Sequence, residues 1–467
     1  MAKVLFINPP SATTGADNTR RLSKFLTATP PLGQATVAAV VRAAGHEVHM
    51  VDLVTWRSTD EKLLEIIRSQ RYDVAAFSIL GPSFYWFKPF AEKLRDFCPT
   101  ISIVAGNALA SEYPLWLLEE VPQCDIVVRG EGEVSFVKWL NGETDVPGIQ
   151  TTGSLVIDPS ERVQNLDSLP YPAWDLLPIR KYRSSPQLML GRRPFLPVQQ
   201  SRGCPWTCKF CAQNFASPTV RFRTIESVAE EIAKGFSDYA ISTFGFIDSI
   251  FPMRKEDGEK LFAALEKRRL LGKIRFGLET RADLVWPETF KWLTRAGLHM
   301  AMLGIETASS QLLEQQGKTT RPSVALEASK TLTALGVRVY GLFVIGFAGE
   351  TNDDREKVEQ QMVTLPLDMA SVSICSMYAG SPRARQEQIA PYSLLEVNWA
   401  GKNHNPELRY WQGRLMRRFF LRWRLIAKHL RRREIPLGRM FLGGLLLLAD
   451  SLLSRLGIGK LSGSYTK

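Results

Sequence analysis

The sequence predicts an α/β chain in three parts: a doubly wound, Rossmann-like first domain, a partial (β/α)6 barrel, and a helical C-terminal tail. Three observations carry this expectation. Short apolar runs alternate with amphipathic stretches over residues 1–150. The alternation breaks over 151–195 and resumes over 196–380. It is lost over 381–467, where the chain turns basic and reads as helix. At 467 residues the chain has room for more than one hydrophobic core.

In the first part the apolar runs are KVLFIN, EVHMVD, DVAAFSI, ISIVAG and CDIVVRG. They are short and rich in Val, Ile and Phe, as strands buried on both faces of a parallel sheet must be. Between them lie LGQATVAAVVRAAG, STDEKLLEIIRSQ, FKPFAEKLRDF and YPLWLLEEV, which read as helices. Repeated strand–helix units give a doubly wound sheet, with ligands at the carboxyl ends of the strands. The loops there are NPPSATTG, DLVTW, ILGPSF, GNALAS and GEGE. No G-x-G-x-x-G follows the first strand, which argues against a dinucleotide site.

Residues 151–195 include LDSLPYPAWDLLP, with three prolines and scattered apolar anchors. A free tether would be rich in Gly and Ser, so this linker is expected to pack on its neighbours. The barrel strands are then LPVQQS, STFGFID, IRFGLET, HMAMLGIE, VRVYGLFVIG and MASVSICSM, with helical stretches between them. Functional groups in such barrels collect at the carboxyl ends of the strands.

The net charge of +12 is unevenly placed. From Glu407 to the end there are 14 Lys+Arg against 3 Asp+Glu, so the body of the chain is close to neutral. That distribution does not suit a nucleic-acid-binding body, and no nucleic-acid partner is expected. In the tail, Trp411, Leu415, Phe419, Trp423, Ile426 and Leu430 recur at helical spacing, with arginines on the flanks. The next segment is apolar only from Met440 to Ala449, too short to span a bilayer. The tail reads either as a cap on the barrel or as a peripheral contact with an anionic membrane, with a protein or nucleic-acid contact as a third reading.

MAKVLFINPP does not have the pattern of a signal peptide. The chain has six cysteines, a number that suits a reducing cytoplasm. Three of the six crowd into SRGCPWTCKFCAQ, as Cys204, Cys208 and Cys211. Thiolates at C-x3-C-x2-C spacing suit an iron–sulfur cluster with one open iron. Zinc would usually add a fourth Cys or His, and no His lies nearby. Cys98, Cys124 and Cys375 have no partner spacing and read as small buried apolar residues.

With Phe210 as the aromatic, CPWTCKFC matches the C-x3-C-x-aromatic-C motif, and here the sequence resembles the radical S-adenosylmethionine enzymes. The resemblance extends to FIDSIF (Asp248), GLETRAD (Glu279, Arg281), LGIETAS (Glu306, Thr307) and GLFVIGFAGET (Gly346). It implies a 4Fe-4S cluster on the three cysteines and an S-adenosylmethionine site formed by Phe210, Asp248, Glu279, Arg281, Glu306, Thr307 and Gly346. Taken singly, each carboxylate would read as a salt-bridge partner or a cap.

The first domain resembles the cobalamin-binding domain fused ahead of many such enzymes. The matching residues are Asn8, Pro9 and Pro10, then PPLG with Leu32 and Gly33, Asp52, Gly81, Gly106 and Asn107, and RGEGE with Glu131 and Gly132. The usual Gly-Gly after the fourth strand reads Gly-Asn here, and no D-x-H-x-x-G is present, so no protein histidine is expected on cobalt. The resemblance implies methylation of an unactivated carbon through a 5′-deoxyadenosyl radical and methylcobalamin. Oxidative cyclisation or ring rearrangement with the same cofactors is the alternative, and a cobalamin-binding sensor or carrier is the reading from another class. A small-molecule substrate, lipid-like or tetrapyrrole, and an electron donor such as flavodoxin or ferredoxin are the implied partners. The radical methylthiotransferases carry three further cluster cysteines in the first domain, which this sequence lacks.

Overall fold

The computed structural model describes residues 1–10, 29–56, 58–153, 160–182, 194–212, 219–376, 378, 381–386, 391 and 405–432. The first sheet has six strands, β1 (Lys3–Asn8), β2 (Glu47–Asp52), β3 (Val74–Ser78), β4 (Ser102–Gly106), β5 (Ile126–Val128) and β6 (Ile149–Gln150). Their order is β2-β1-β3-β4-β5-β6, parallel except for the β5–β6 pair. The interior strands are the most apolar, and four of the six residues of β1 are buried. The strand order reverses between β1 and β3, which opens a crevice outside their carboxyl ends.

Among the described residues six helices accompany this sheet: α1 (Leu32–Ala43), α2 (Asp60–Gln70), α3 (Gly81–Phe97), α4 (Ala108–Glu112), α5 (Pro114–Glu120) and α6 (Gly132–Leu140). Three of them differ from the sequence reading, and one is α4, a short helix capped by Asn107 where GNALAS reads as a loop. Helix α3 starts six residues earlier than FKPFAEKLRDF, because a proline in the first turn gives up only an N–H that has no helical partner. Helix α6 grows directly out of the GEGE loop and was not expected.

The described part of the linker, residues 160–182, packs on its neighbours. Trp174, Leu177, Ile179 and Tyr182 are buried in one core with Leu32 and Ala35 of α1 and the barrel interior. Arg42 of α1 pairs with Asp175 at 2.6 Å.

The second sheet is parallel throughout, in the order β14-β13-β12-β11-β10-β7. Its strands are β7 (Leu196–Val198), β10 (Thr243–Phe246), β11 (Arg275–Arg281), β12 (Leu298–Glu306), β13 (Arg338–Ile345) and β14 (Met369–Ile374). Between β7 and β10 the short antiparallel pair β8 (Ser201–Arg202) and β9 (Arg221–Phe222) forms the stem of the cysteine loop. The barrel helices are α7 (Ile225–Tyr239), α8 (Asp257–Lys267), α9 (Pro287–Ala296), α10 (Ser310–Gln315), α11 (Pro322–Ala334) and α12 (Asn352–Thr364). Local chemistry marks their ends: Thr351 and Asp354 form a capping box on α12, and Gly297 takes a left-handed turn after α9.

After α13 (Pro382–Gln386), the tail forms α14 (Pro406–Phe420) and α15 (Trp423–Arg432). Trp411, Leu415 and Phe419 are buried on the barrel, as a cap would bury them. The single helical face expected from Trp411 to Leu430 does not persist. The helix breaks at Leu421–Arg422, Leu425 and His429 turn inward, and Trp423 is exposed. Met440–Ala449 lies outside the described residues. No helix among the described residues is long and apolar enough to cross a membrane.

Candidate functional site

The cysteine loop leaves the β8–β9 stem through Gly203, whose φ of 101° is left-handed. Cys204 is buried, and Cys208 and Cys211 are half-buried. Asp248, at the end of β10, accepts hydrogen bonds from Gln200 N (3.1 Å) and from Ser201 Oγ (2.6 Å), which clamps the stem. On the far side Lys209 N donates to Gln316 O at 3.0 Å. The Phe210 ring lies 5.6 Å from the Phe347 ring, and the Arg281 guanidinium lies 4.6 Å from the Trp206 ring. Burial pushes the Cys204 and Cys208 thiols up, Arg281 pulls both back, and Lys318 acts on Cys208.

Three thiols on one loop beside two cations form a donor set suited to a thiolate-bound cluster, whose charge Arg281 and Lys318 offset. Among the described residues no three His, Cys, Asp or Glu converge on a single-ion site. A four-iron cube offers its irons at separate corners, so its ligands stand further apart than those of one ion.

Two carboxylates lie on the strands beside the loop. A register shift between Gly304 and Glu306 places Glu306 at φ 65°, and its carboxylate pairs with Lys318 at 2.7 Å. Lys318 also donates to Gly304 O at 2.9 Å. Glu279 on β11 is pushed up to about 7 by burial and by Glu306, with Lys318 opposing. The remaining residues expected at the S-adenosylmethionine site lie around this group with structural partners. Asp248 is committed to Gln200 and Ser201, and burial pushes its carboxyl up to about 6. Arg281 pairs with Asp283 at 2.9 Å, and Thr307 is fully buried. Gly346 has φ 88°, and a Cβ there would lie 2.8 Å from Leu408 of α14.

The face expected to bind cobalamin is the carboxyl end of the first sheet. Asn8 donates to Asp52 at 3.0 Å, and Asp52 also accepts from the Tyr182 hydroxyl of the linker. Gly81 opens α3, Pro9 and Pro10 end β1, and Leu32 is buried at the start of α1. The space beside Gly33 is open, and a Cβ on Gly106 would make only ordinary contact with Val128. Val54 and Leu80, which follow β2 and β3, are 39% and 47% exposed. Open space beside Gly33 and exposed apolar side chains at the rim suit a flat macrocycle. Asn107 stands at φ 80°, ψ −171°, a region held almost only by glycine. Its side chain accepts from Ala108 N (2.7 Å) and donates to Ser78 Oγ (2.8 Å).

Glu131 does not point free into that crevice. Its carboxylate is taken by Arg221 of β9 and stands 3.3 Å from Arg202 of β8. Burial pushes it up, but the two guanidiniums hold it below the ordinary range. Glu133, one residue into α6 beyond Gly132, pairs with Arg202 at 2.7 Å. These bonds set the carboxyl end of the first sheet against the stem of the cysteine loop.

Sequence reasoning passed over Trp206, Arg202, Arg221, Lys318 and Tyr182 as site residues. The partners are far apart in the chain or carry no motif. The one local signal was RGEGE, which includes Glu133.

Residues 198–362 match the model of the radical SAM superfamily, and residues 21–139 match that of the B12 binding domain. The chain is 29% identical over 380 residues to an uncharacterized methyltransferase of Pyrococcus horikoshii, which covers 79% of this chain and 81% of that one. It is 25% identical over 414 residues to the anaerobic magnesium-protoporphyrin IX monomethyl ester cyclase of Cereibacter sphaeroides, covering 85% of this chain and 66% of that one. Its fold is similar to that of the radical S-adenosylmethionine methyltransferase TsrM from Kitasatospora setae, solved with cobalamin and a [4Fe-4S] cluster bound. That match has a TM-score of 0.67 and 16% identity, and covers 83% of this chain and 75% of the other.

Proposed function

We propose, for a chain that belongs to the cobalamin-binding radical S-adenosylmethionine enzymes, that it methylates an unactivated carbon of a small molecule held between the carboxyl ends of its two sheets. When bound, the cluster and S-adenosylmethionine supply hydrogen abstraction, and cobalamin supplies the methyl group. Cys204, Cys208 and Cys211 are the residues to hold the iron. Glu279 and Glu306 offer negative charge to the cationic end of S-adenosylmethionine, and Phe210 and Arg281 pack the loop on which it sits. Asp248, Thr307 and Gly346 shape the site from beneath. Asn8, Gly33, Gly81, Gly106 and Asn107 line the corrin face.

The observation that carries this reading is the set of ion pairs from Glu131 and Glu133 to Arg202 and Arg221. They join the sheet end proposed for the corrin to the stem of the cysteine loop, which supports one shared space for hydrogen abstraction and methyl donation at a single carbon. A flavodoxin- or ferredoxin-like donor supplies the electron, and the basic tail makes a peripheral membrane contact.

The test needs no substrate. Holoprotein reconstituted without oxygen is given methyl-labelled S-adenosylmethionine and a reductant. Label should appear in the corrin fraction. Cleavage of S-adenosylmethionine with no label in the corrin would favour the cyclase reading, for which the Cereibacter relative speaks. No cleavage at all would favour a sensor or carrier.

A further inference from the structure

The tail helices α14 and α15 meet at an exposed break. Helix α14 runs antiparallel to β14. Its Leu408 covers Gly346 at the carboxyl end of β13, and the Gln412 amide donates to Val372 O on β14 at 2.7 Å. At the other end Arg422 donates to Val363 O in the last turn of α12, at 2.9 Å. Helix α15 then passes under the amino ends of the strands, where Lys428 pairs with Asp368 at 2.6 Å. The inner faces of both helices are buried, but Leu421 and Trp423, at the break, are 59% and 72% exposed. Arg414, Arg417, Arg418 and Arg424 surround them, with Glu359 the one acid among the described lining residues.

We propose that this α14–α15 junction docks on an anionic lipid bilayer, with Leu421 and Trp423 entering the headgroup boundary and the arginines pairing with lipid phosphates. It gives the tail contact a surface, and it does not depend on the methyl-transfer reading. The charge is complementary: four guanidiniums outweigh one carboxylate, and the segment from Glu407 onward carries 14 of the chain's basic residues against 3 acids. An indole and an aliphatic side chain exposed side by side suit the boundary, where one end of the ring is apolar and the other wet. Arginine stems cover apolar surface while their heads reach phosphate. An acidic protein would satisfy the arginines but would give this apolar pair no reason to stand out.

The geometry also fixes an orientation. The docking surface lies at the base of the barrel and the mouth at its other end, about 22 Å away along the fifteen residues of α14. The surface therefore anchors the enzyme with its mouth turned from the bilayer.

The experiment floats full-length reconstituted protein with vesicles of phosphatidylglycerol in phosphatidylcholine, or of phosphatidylcholine alone, at low and high salt. Flotation is expected with the anionic vesicles only, and salt should reverse it. Leu421→Ser with Trp423→Ser should weaken partitioning about tenfold. Arg418→Gln and Arg424→Gln should each weaken it about fivefold. Iron content per chain, unchanged in these variants, would show that they fold. No flotation, equal flotation with both vesicles, or flotation untouched by all four substitutions would overturn the proposal. So would binding of soluble polyglutamate in place of the vesicles, which would assign the surface to an acidic protein. Because no substrate or turnover is involved, failure here leaves the methyl-transfer reading standing, and the reverse.

Discussion

Arg202, two residues before Cys204, donates to Glu133 at 2.7 Å from one sheet's domain to the other's. The Glu133 side chain is 4% exposed and that of Arg202 17%. A buried carboxylate left without its cation is costly, typically about 3 kcal/mol. Arg202→Ala should therefore loosen the two domains from each other, and Arg202→Lys should restore only part, since lysine cannot serve Glu131 and Glu133 with one planar fork. Scanning calorimetry should show the first domain melting apart from the barrel in the alanine variant. Its iron content should hold while corrin absorbance falls. A single unchanged melting transition would count against the coupling.

The cluster assignment has its own test. Protein reconstituted without oxygen should hold about four irons per chain, as a cubane does. Cys204→Ala, Cys208→Ala or Cys211→Ala should each abolish cleavage of S-adenosylmethionine. A triple alanine variant that still cleaves it would show that the cysteines are the wrong residues.

Glu279 should make S-adenosylmethionine binding depend on pH. Burial and Glu306 raise its carboxyl to about 7, so it ionises as pH rises through that value. The ionised form attracts a sulfonium and an ammonium group, so affinity should strengthen across the same range. Folding stability runs the other way. A carboxyl raised in the folded state favours folding when protonated, so its contribution is complete below the ordinary carboxylate range and is lost as pH passes about 7. Equilibrium dialysis of wild type and Glu279→Gln from about pH 6 to 8 checks the first sign, since the variant should lose the step. Denaturant titration at the same pH values checks the second.

The Lys318–Glu306 pair should behave as a buried pair. The Lys318 side chain is 4% exposed and that of Glu306 11%. Lys318→Met leaves Glu306 alone and should cost about 3 kcal/mol, whereas adding Glu306→Gln should recover much of that loss. Urea midpoints of the single and double variants measure the difference. Equal losses would mean that the two side chains do not couple.

Asn107 tests strain on the corrin face. At φ 80° a side chain is held out of its normal range. Asn107→Gly should therefore stabilise the cofactor-free protein by about 1 kcal/mol, less what its two side-chain hydrogen bonds contribute. Asn107→Ala keeps the strain, loses the bonds and should destabilise. Thermal midpoints of the three proteins give the order. A glycine variant no more stable than the alanine one would remove the strain argument.

Much of the architecture was legible in the sequence. Parallel strands buried on both faces leave continuous apolar runs, so β1, β3, β4 and the barrel strands stand out of the chain unaided. The three clustered cysteines stand out for another local reason: their close spacing is written in the chain itself. The outline of α6 was not, because GEGE reads as a turn, and only the packing of Phe136 against the sheet shows that a helix follows. Helical spacing carried the tail correctly through Trp411, Leu415 and Phe419 but not past Leu421. The barrel ends there, and α15 must turn to pack beneath it.

The sequence by itself singled out the residues proposed to bring chemistry: the three thiols, the carboxylates at strand ends, and the strand ends of the first sheet. It did not determine what each of them touches. Asp248 and Glu131 carry the same charge as Glu279, yet the fold gives Asp248 to the stem of the cysteine loop and Glu131 to arginines of the barrel. Glu133 and Arg202 are 69 residues apart and belong to different sheets. Lys318 reaches Glu306 only because the loop after β12 folds back under the cysteines. A charged side chain is placed by whichever opposite charge the backbone brings within about 4 Å. No local period or spacing records that choice, so it was the tertiary structure that decided which carboxylates hold the protein together and which remain to meet a ligand.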